Sequence, residues 1–205
     1  MANPEWFRNK TWSTDIAADF DVNLGRARRK EQYLRIQAST LAPNRPEIAH
    51  ALLDRFFKLP DQFEAAQAHV DRATAYLAQG QVEHALLAYE HALIREEEFP
   101  RLKTEAYLEL PFLVAIHGLR TRYVSARRLL DEHKGRLMFP VDHFKWNTSQ
   151  ALIASDLSEE ARPYAKAALV AAAADHSGFA NHAKVGLVPV SFKEVSARLQ
   201  AIRDA

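Results

Sequence analysis

Residues 66–99, AQAHVDRATAYLAQGQVEHALLAYEHALIREEEF, carry the pattern that decides the fold of this chain. Small and aromatic residues recur there at spacings that let two antiparallel helices pack closely against each other. These residues are Ala73, Tyr76, Gly80, Ala85, Tyr89 and Ala92. Gly80 lies between the two periodic segments, where a glycine interrupts a helix. The stretch therefore predicts a hairpin of two helices whose signature residues serve packing.

The same period extends along the chain. Pro60, Pro100 and Pro140 lie forty residues apart, and each follows a large apolar residue. Proline ends one helix and begins the next because it lacks the backbone N–H and fixes φ. We therefore predict repeated units of about forty residues, each made of two helices.

Within these units, apolar periodicity sets the predicted helix bounds. First helices are predicted at Lys30–Ala42, Gln62–Ala78, Leu102–His117 and Asp142–Ser155. Second helices are predicted to begin near Pro46, Val82, Arg122 and Ser158. A small residue recurs close to the start of each second helix, where it lets the two helices of a unit approach each other. These small residues are Ala49, Ala85, Ala126 and Ala161.

The pattern resembles the tetratricopeptide repeat family, whose helical solenoids specialise in protein–protein contact. Residues 66–99 carry the resemblance, and the first aromatic position of their pattern holds His69, which we expect to pack like the usual aromatic ring. Units that share the period lie at residues 30–60, 107–140 and 142–175. The resemblance implies an all-α protein, a right-handed α-α superhelix of about four helix pairs over residues 30–175.

The first segment outside the repeats, residues 1–29, is rich in large apolar residues. Trp6, Phe7 and Trp12 are unlike the composition of a free tail, and we expect them to dock on the body of the protein. The segment then continues as an apolar helical stripe toward Tyr33, which predicts one long helix across the boundary at residue 30. The stripe consists of Ile16, Phe20 and Leu24.

The last segment, residues 176–205, predicts a loop followed by a closing helix. Val195, Leu199 and Ile202 form the predicted buried face of that helix. Because a solenoid needs its end units covered, both terminal segments are interpreted as caps of one domain.

Composition excludes several classes of function. With no cysteine, the chain has neither disulfides nor Cys-ligated zinc. We find no glycine-rich phosphate loop, nucleophile elbow or Ser/His/Asp arrangement, and we expect no enzymatic activity and no cofactor. His84 and His91 share a helix face but lack a third convergent ligand, so we expect no metal site. The first residues show no secretory-leader pattern, and no apolar run is long enough for a bilayer, so we expect a cytoplasmic protein without a membrane partner.

The charge distribution of the sequence says little about the class of partner that the protein binds. The net charge of +1 provides no general attraction to nucleic acid, and the basic cluster Arg26–Lys30 is interpreted as a solvated helix surface. Glu96, Glu97 and Glu98 oppose the helix dipole at a predicted helix end, and we interpret this as a solvated helix end, with a contact to Arg101 or to a partner as the alternative.

The first helices of such an array line its concave side, and this places the predicted binding residues. They are Leu34, Val70, Thr74, Leu77 and Leu108. The apolar groove they form is expected to bind a protein or peptide partner, or to be filled by the terminal segments of the chain. The alternative function is a self-associating structural protein that forms a homodimer through the repeat ends. Nucleic-acid binding and enzymatic activity rank lower.

Overall fold

The computed structural model describes residues 5–60 and 63–205 of the chain. In these residues it contains ten α-helices and no β-strand, so the prediction of an all-α protein is confirmed. The helices are α1 Thr14–Arg26, α2 Lys30–Leu41, α3 Pro46–Phe57, α4 Ala65–Ala78, α5 Val82–Glu98, α6 Ala106–Ile116, α7 Tyr123–Glu132, α8 Pro140–Asp156, α9 Arg162–Ala172 and α10 Lys193–Asp204.

Most of the predicted helices are present, and the differences have local causes. The predicted start at Gln62 lies outside the described residues. Helix α6 begins at Ala106 and not at Leu102, because the Thr104 backbone N–H and hydroxyl are held by the carboxylate of Glu96. Helix α9 begins later than Ser158, because Ser158 itself adopts a φ of 57°. A residue in this left-handed conformation ends the preceding helix.

The prediction of one long helix from the N-terminal segment into Tyr33 is wrong. Helix α1 ends at Arg26, Ala27 is extended, and α2 begins only at Lys30. The reason is the common core, because Phe20 from α1 and Leu34 from α2 are buried in the same cluster. A straight helix would hold these two residues about 21 Å apart along its axis, whereas the bend lets both reach the same cluster.

The chain divides into two compact units, Met1–Ala106 and Tyr107–Ala205. In the first unit, α2 packs on α3 and α4 packs on α5, while α4 also contacts both α2 and α3. Ala73, Ala85 and Ala92 are fully buried, as the hairpin pattern requires. Gly80 adopts a φ of 70° between α4 and α5, which is the conformation that glycine permits there. The prediction of a single domain stays a prediction.

The N-terminal aromatic residues dock on this first unit, as predicted. The Trp6 ring centroid lies 5.3 Å from that of Phe20 and 4.8 Å from that of Tyr33. Farther along, the Asn9 backbone N–H donates to Gln37 Oε1 at 3.0 Å, and Gln37 Nε2 donates back to the Asn9 carbonyl at 2.8 Å. Aromatic packing and a reciprocal hydrogen bond therefore attach the segment to α1 and α2.

The second unit is built around α8, whose residues from Thr148 to Ala154 are all buried. Helix α10 packs on α9 and α8, and its Leu199 is fully buried among Phe112, Phe144 and the alanines of α9. Val195 and Ile202 pack against the same cluster. The predicted buried face of the closing helix is therefore confirmed.

Candidate functional site

The five predicted binding residues occupy different environments. Val70, Thr74 and Leu77 are half-buried along α4 in the first unit. Leu34 is buried in the core of that unit, because α1 covers this part of α2. Leu108, in the second unit, is buried on the almost completely enclosed helix α6. Leu34 and Leu108 thus offer no exposed surface, and binding by the three α4 residues stays a prediction.

The face of α4 that lies next to α2 is more charged than the predicted apolar groove. Arg35 on α2 donates to Glu64 at 2.5 Å and to Asp71 at 3.1 Å. Gln67 Nε2 donates to the other Asp71 oxygen at 3.3 Å. Burial raises the pKa of Asp71, and the Arg35 guanidinium opposes that rise. This network joins α2 to α4. An apolar peptide matches such a surface poorly, because it would cover charged groups without offering them hydrogen-bond partners.

A better-formed groove lies in the second unit, between α8, α9 and the loop after α9. Its volume is about 710 Å³, which is within the usual range for ligand sites. We call it the apolar groove, and it is lined by Met138, Pro140, His143, Asn147, Pro163, Lys166, Ala167, Val170, Ala171, Ala174, His176, Ser177 and Gly178. Val170 has 67% of its surface exposed, and Met138 is also exposed. Single exposed apolar side chains are common, but these two belong to one apolar lining, and contiguous apolar surface of this kind is typical of interaction sites.

Hydrogen bonds give the loop wall of the apolar groove a defined shape. The Ser177 hydroxyl donates to the His182 carbonyl at 2.7 Å, and the Ser177 N–H donates to the Ala183 carbonyl at 2.8 Å. Farther along, the Val141 N–H at the start of α8 donates to the Gly186 carbonyl at 2.8 Å. The loop is therefore fastened to α8, and the groove is formed before any partner binds.

The ionisable groups that line the apolar groove are a lysine and two histidines. Lys166 makes no ion pair within residues 5–60 and 63–205. His176 Nδ1 accepts a hydrogen bond from the Gly178 N–H at 2.9 Å, so the proton of the neutral ring is on Nε2. Asp142 lies at the start of α8 but accepts from the backbone N–H groups of Met138 and Phe139, outside the lining. The rim is consequently basic above an apolar floor.

A second cavity of about 710 Å³ lies between α7, α8 and the start of α9, and it shares Asn147 and Pro163 with the apolar groove. We call it the polar pocket, and it is lined by Arg127, Asp131, Lys134, Trp146, Asn147, Gln150, Glu159, Glu160, Pro163 and Tyr164. Arg127 donates to Glu159 at 2.6 Å across its mouth.

The histidines of the first unit pack against aromatic rings. His69 lies 4.5 Å from Phe57 and 5.2 Å from His91, between ring centroids, and burial lowers its pKa to about 4. This confirms that His69 packs in place of an aromatic residue. His84 stacks on Tyr76 at 5.1 Å. Among the described residues, no three potential ligands converge as a metal site would require.

The acidic end of α5 is explained by the chain itself. Glu96 is buried and accepts from the Thr104 N–H at 2.7 Å and from the Thr104 hydroxyl at 2.6 Å. Lys103 lies 3.6 Å from its other oxygen. Glu96 is thus not solvated as expected, and its contacts are with Thr104 and Lys103.

Sequence reasoning missed the apolar groove, although one signal was present. Ala167–Ala174 is the longest apolar run of the chain, and it exceeds what one face of α9 can bury.

No helix in the described ranges is long and apolar enough to cross a bilayer. The sequence matches no protein-family model, and it matches neither a curated protein nor a solved structure.

Proposed function

We propose that this chain is a non-enzymatic adaptor that binds a protein partner, built as a right-handed array of helix pairs like the tetratricopeptide repeats. The packing of α4 against both helices of the preceding pair supports this arrangement in the first unit. So do the buried alanines of α4 and α5 and the positive φ of Gly80.

The observation that carries the proposal is the apolar groove of the second unit. It combines a formed cavity, exposed Met138 and Val170, and a loop wall held by hydrogen bonds. A preformed apolar cleft limits the entropy lost on binding, because its walls need no ordering. We therefore propose α8 and α9 as the docking site in preference to the concave side of the first helices.

The residues that line the apolar groove indicate what kind of partner segment it binds. The floor, with Ala167, Val170 and Ala171, accepts apolar side chains. Lys166 on the rim lacks an ion-pair partner in the described parts of the chain. A carboxylate of the bound segment would therefore form an ion pair with the Lys166 ammonium. The partner is thus an amphipathic peptide segment whose apolar side chains are accompanied by acidic ones.

Two labelled peptides test this assignment. The first consists of leucine and glutamate arranged as an amphipathic helix, and the second replaces every glutamate by lysine. We expect the acidic peptide to bind at least about tenfold more tightly in fluorescence anisotropy at low salt. Equal binding of the two peptides would contradict the role of the basic rim.

Self-association is the second candidate, and one observation on α5 favours it. Leu87 and Ile94 lie seven residues apart and are 47% and 52% exposed. Their spacing of one heptad places both on one exposed stripe of α5, which we call the exposed seam. A seam of this kind matches the same seam on a second copy of the chain.

A further inference from the structure

The polar pocket is lined by an amide that makes no hydrogen bond within the described residues and that is open to the pocket. Gln150 on α8 is only 5% exposed and lines this pocket. Its side chain makes no hydrogen bond to any residue in the described ranges 5–60 and 63–205. An amide that opens into a pocket hydrogen-bonds to water there, and a ligand with a matching donor and acceptor can take the place of that water. Gln150 is thus free to contact a ligand in the polar pocket.

A buried polar atom without a partner also lies at this pocket. Arg127 Nε is buried without a hydrogen-bond partner, although the same guanidinium donates to Glu159 at 2.6 Å. On the next turn of α7, the Asp131 carboxylate has no ion-pair partner among the described residues. The pocket therefore offers donors and acceptors at several points around its wall.

The aromatic residues of the pocket have distinct roles. Trp146 donates its Nε1–H to the Leu130 carbonyl at 3.1 Å, and the Lys134 ammonium lies 5.0 Å from its ring centroid. Its ring is thus engaged by the protein. Tyr164 on α9 is half-buried and meets Trp146 edge-on at 6.1 Å. Tyr164 is consequently the ring on which a flat ligand can stack.

We propose that the polar pocket binds a purine nucleoside. The Gln150 amide presents a donor and an acceptor side by side, which matches the paired acceptor and donor on the edge of adenine. Tyr164 supplies a stacking surface of the kind that recognises an extruded base. Asp131 is an acceptor for the hydroxyls of the ribose.

The charges of the pocket favour the nucleoside over its phosphate esters. Arg127 is paired with Glu159, and the remaining charged residues are Lys134, Asp131 and Glu160. The lining thus carries no surplus of positive charge for a phosphate. This site is independent of the proposed adaptor function, with which it shares only Asn147 and Pro163 in its lining.

Calorimetric titration of the full chain with adenosine tests the site. We expect a dissociation constant on the order of 100 μM for the wild type. Gln150→Met keeps the volume of the side chain but removes its hydrogen bonds, and it should weaken binding about tenfold or more. Gln200→Met, on the exposed face of α10, is the matched control and should leave binding unchanged.

A pair of variants at Tyr164 provides a second readout. Tyr164→Phe keeps the ring and should bind adenosine as the wild type does, whereas Tyr164→Leu should lose about tenfold in affinity. Ribose alone should not compete with adenosine. The proposal is overturned if adenosine fails to bind at millimolar concentration, if Gln150→Met binds as tightly as Gln200→Met, or if ribose competes as well as the nucleoside.

Discussion

Gly186 lies directly against the ring of Phe139, so closely that a Cβ atom on Gly186 would be 2.4 Å from the Phe139 side chain. Gly186 also adopts a φ of 68°, which side-chain-bearing residues rarely tolerate. The same Phe139 ring lies 5.2 Å from Phe179 farther along the loop. This contact fastens the loop wall of the apolar groove to the start of α8.

Gly186→Ala should therefore destabilise the protein by about 2–3 kcal/mol, because strain in the backbone adds to the clash with Phe139. Urea denaturation measures this change. Gly178→Ala is the matched control, since Gly178 also has a positive φ but no atom within 4 Å of the added Cβ. Equal effects of the two substitutions would show that the Phe139 contact has no role.

Ala85→Trp should unfold the first unit. Ala85 is fully buried at the contact between α4 and α5, where no volume is free for an indole ring. Overpacking of this kind costs about 1–3 kcal/mol or more. Ala51→Trp, on the exposed side of α3, is the control. A thermal melt of Ala85→Trp that matches that of the control would reject the helix register of residues 66–99.

The burial of His69 predicts a loss of stability in acid. Its pKa in the folded protein is lowered to about 4 by burial, with additional repulsion from His91, Arg72 and Arg95. Between pH 6.5 and 4, the unfolded chain therefore binds a proton that the folded chain does not. This contribution to stability is complete above pH 6.5 and is lost as the pH falls through that window.

We expect the free energy of unfolding to fall by about 1–2 kcal/mol over this range on account of His69, after discounting for the part of the ring that water reaches. His69→Phe should reduce the pH slope in urea titrations. His143→Phe, at the exposed edge of the apolar groove, should leave the slope unchanged. If His69→Phe keeps the full slope, another group is responsible.

If α5 associates through its exposed seam, the molar mass of the protein in solution should depend on Leu87. Leu87→Glu places a charge in the middle of the seam, where a dimer interface would have to bury it. Light scattering should then give a lower mass than for the wild type. A wild-type protein that is monomeric at high concentration would rule out self-association through α5.

The period of forty residues and the small residues at helix contacts were enough to predict α2 to α5 and the all-α class. Three features depend on contacts distant in sequence and were missed. The break at Ala27 follows from a core shared by α1 and α2. The buried state of Leu34 and Leu108 depends on what covers them, which periodicity does not record. The apolar groove needs the loop after α9 to return to α8.

The central claim, that the apolar groove is the partner site, is tested most directly by one comparison of two valines. Val170→Glu places a carboxylate in the groove, and Val124→Glu places one on α7 at a position that is 85% exposed and outside the groove. Binding of the acidic amphipathic peptide should weaken at least tenfold, or about 1.4 kcal/mol, for Val170→Glu alone. Equal binding by the two variants would contradict this claim. If Leu77→Glu instead weakened binding of the peptide, the partner site would lie on α4.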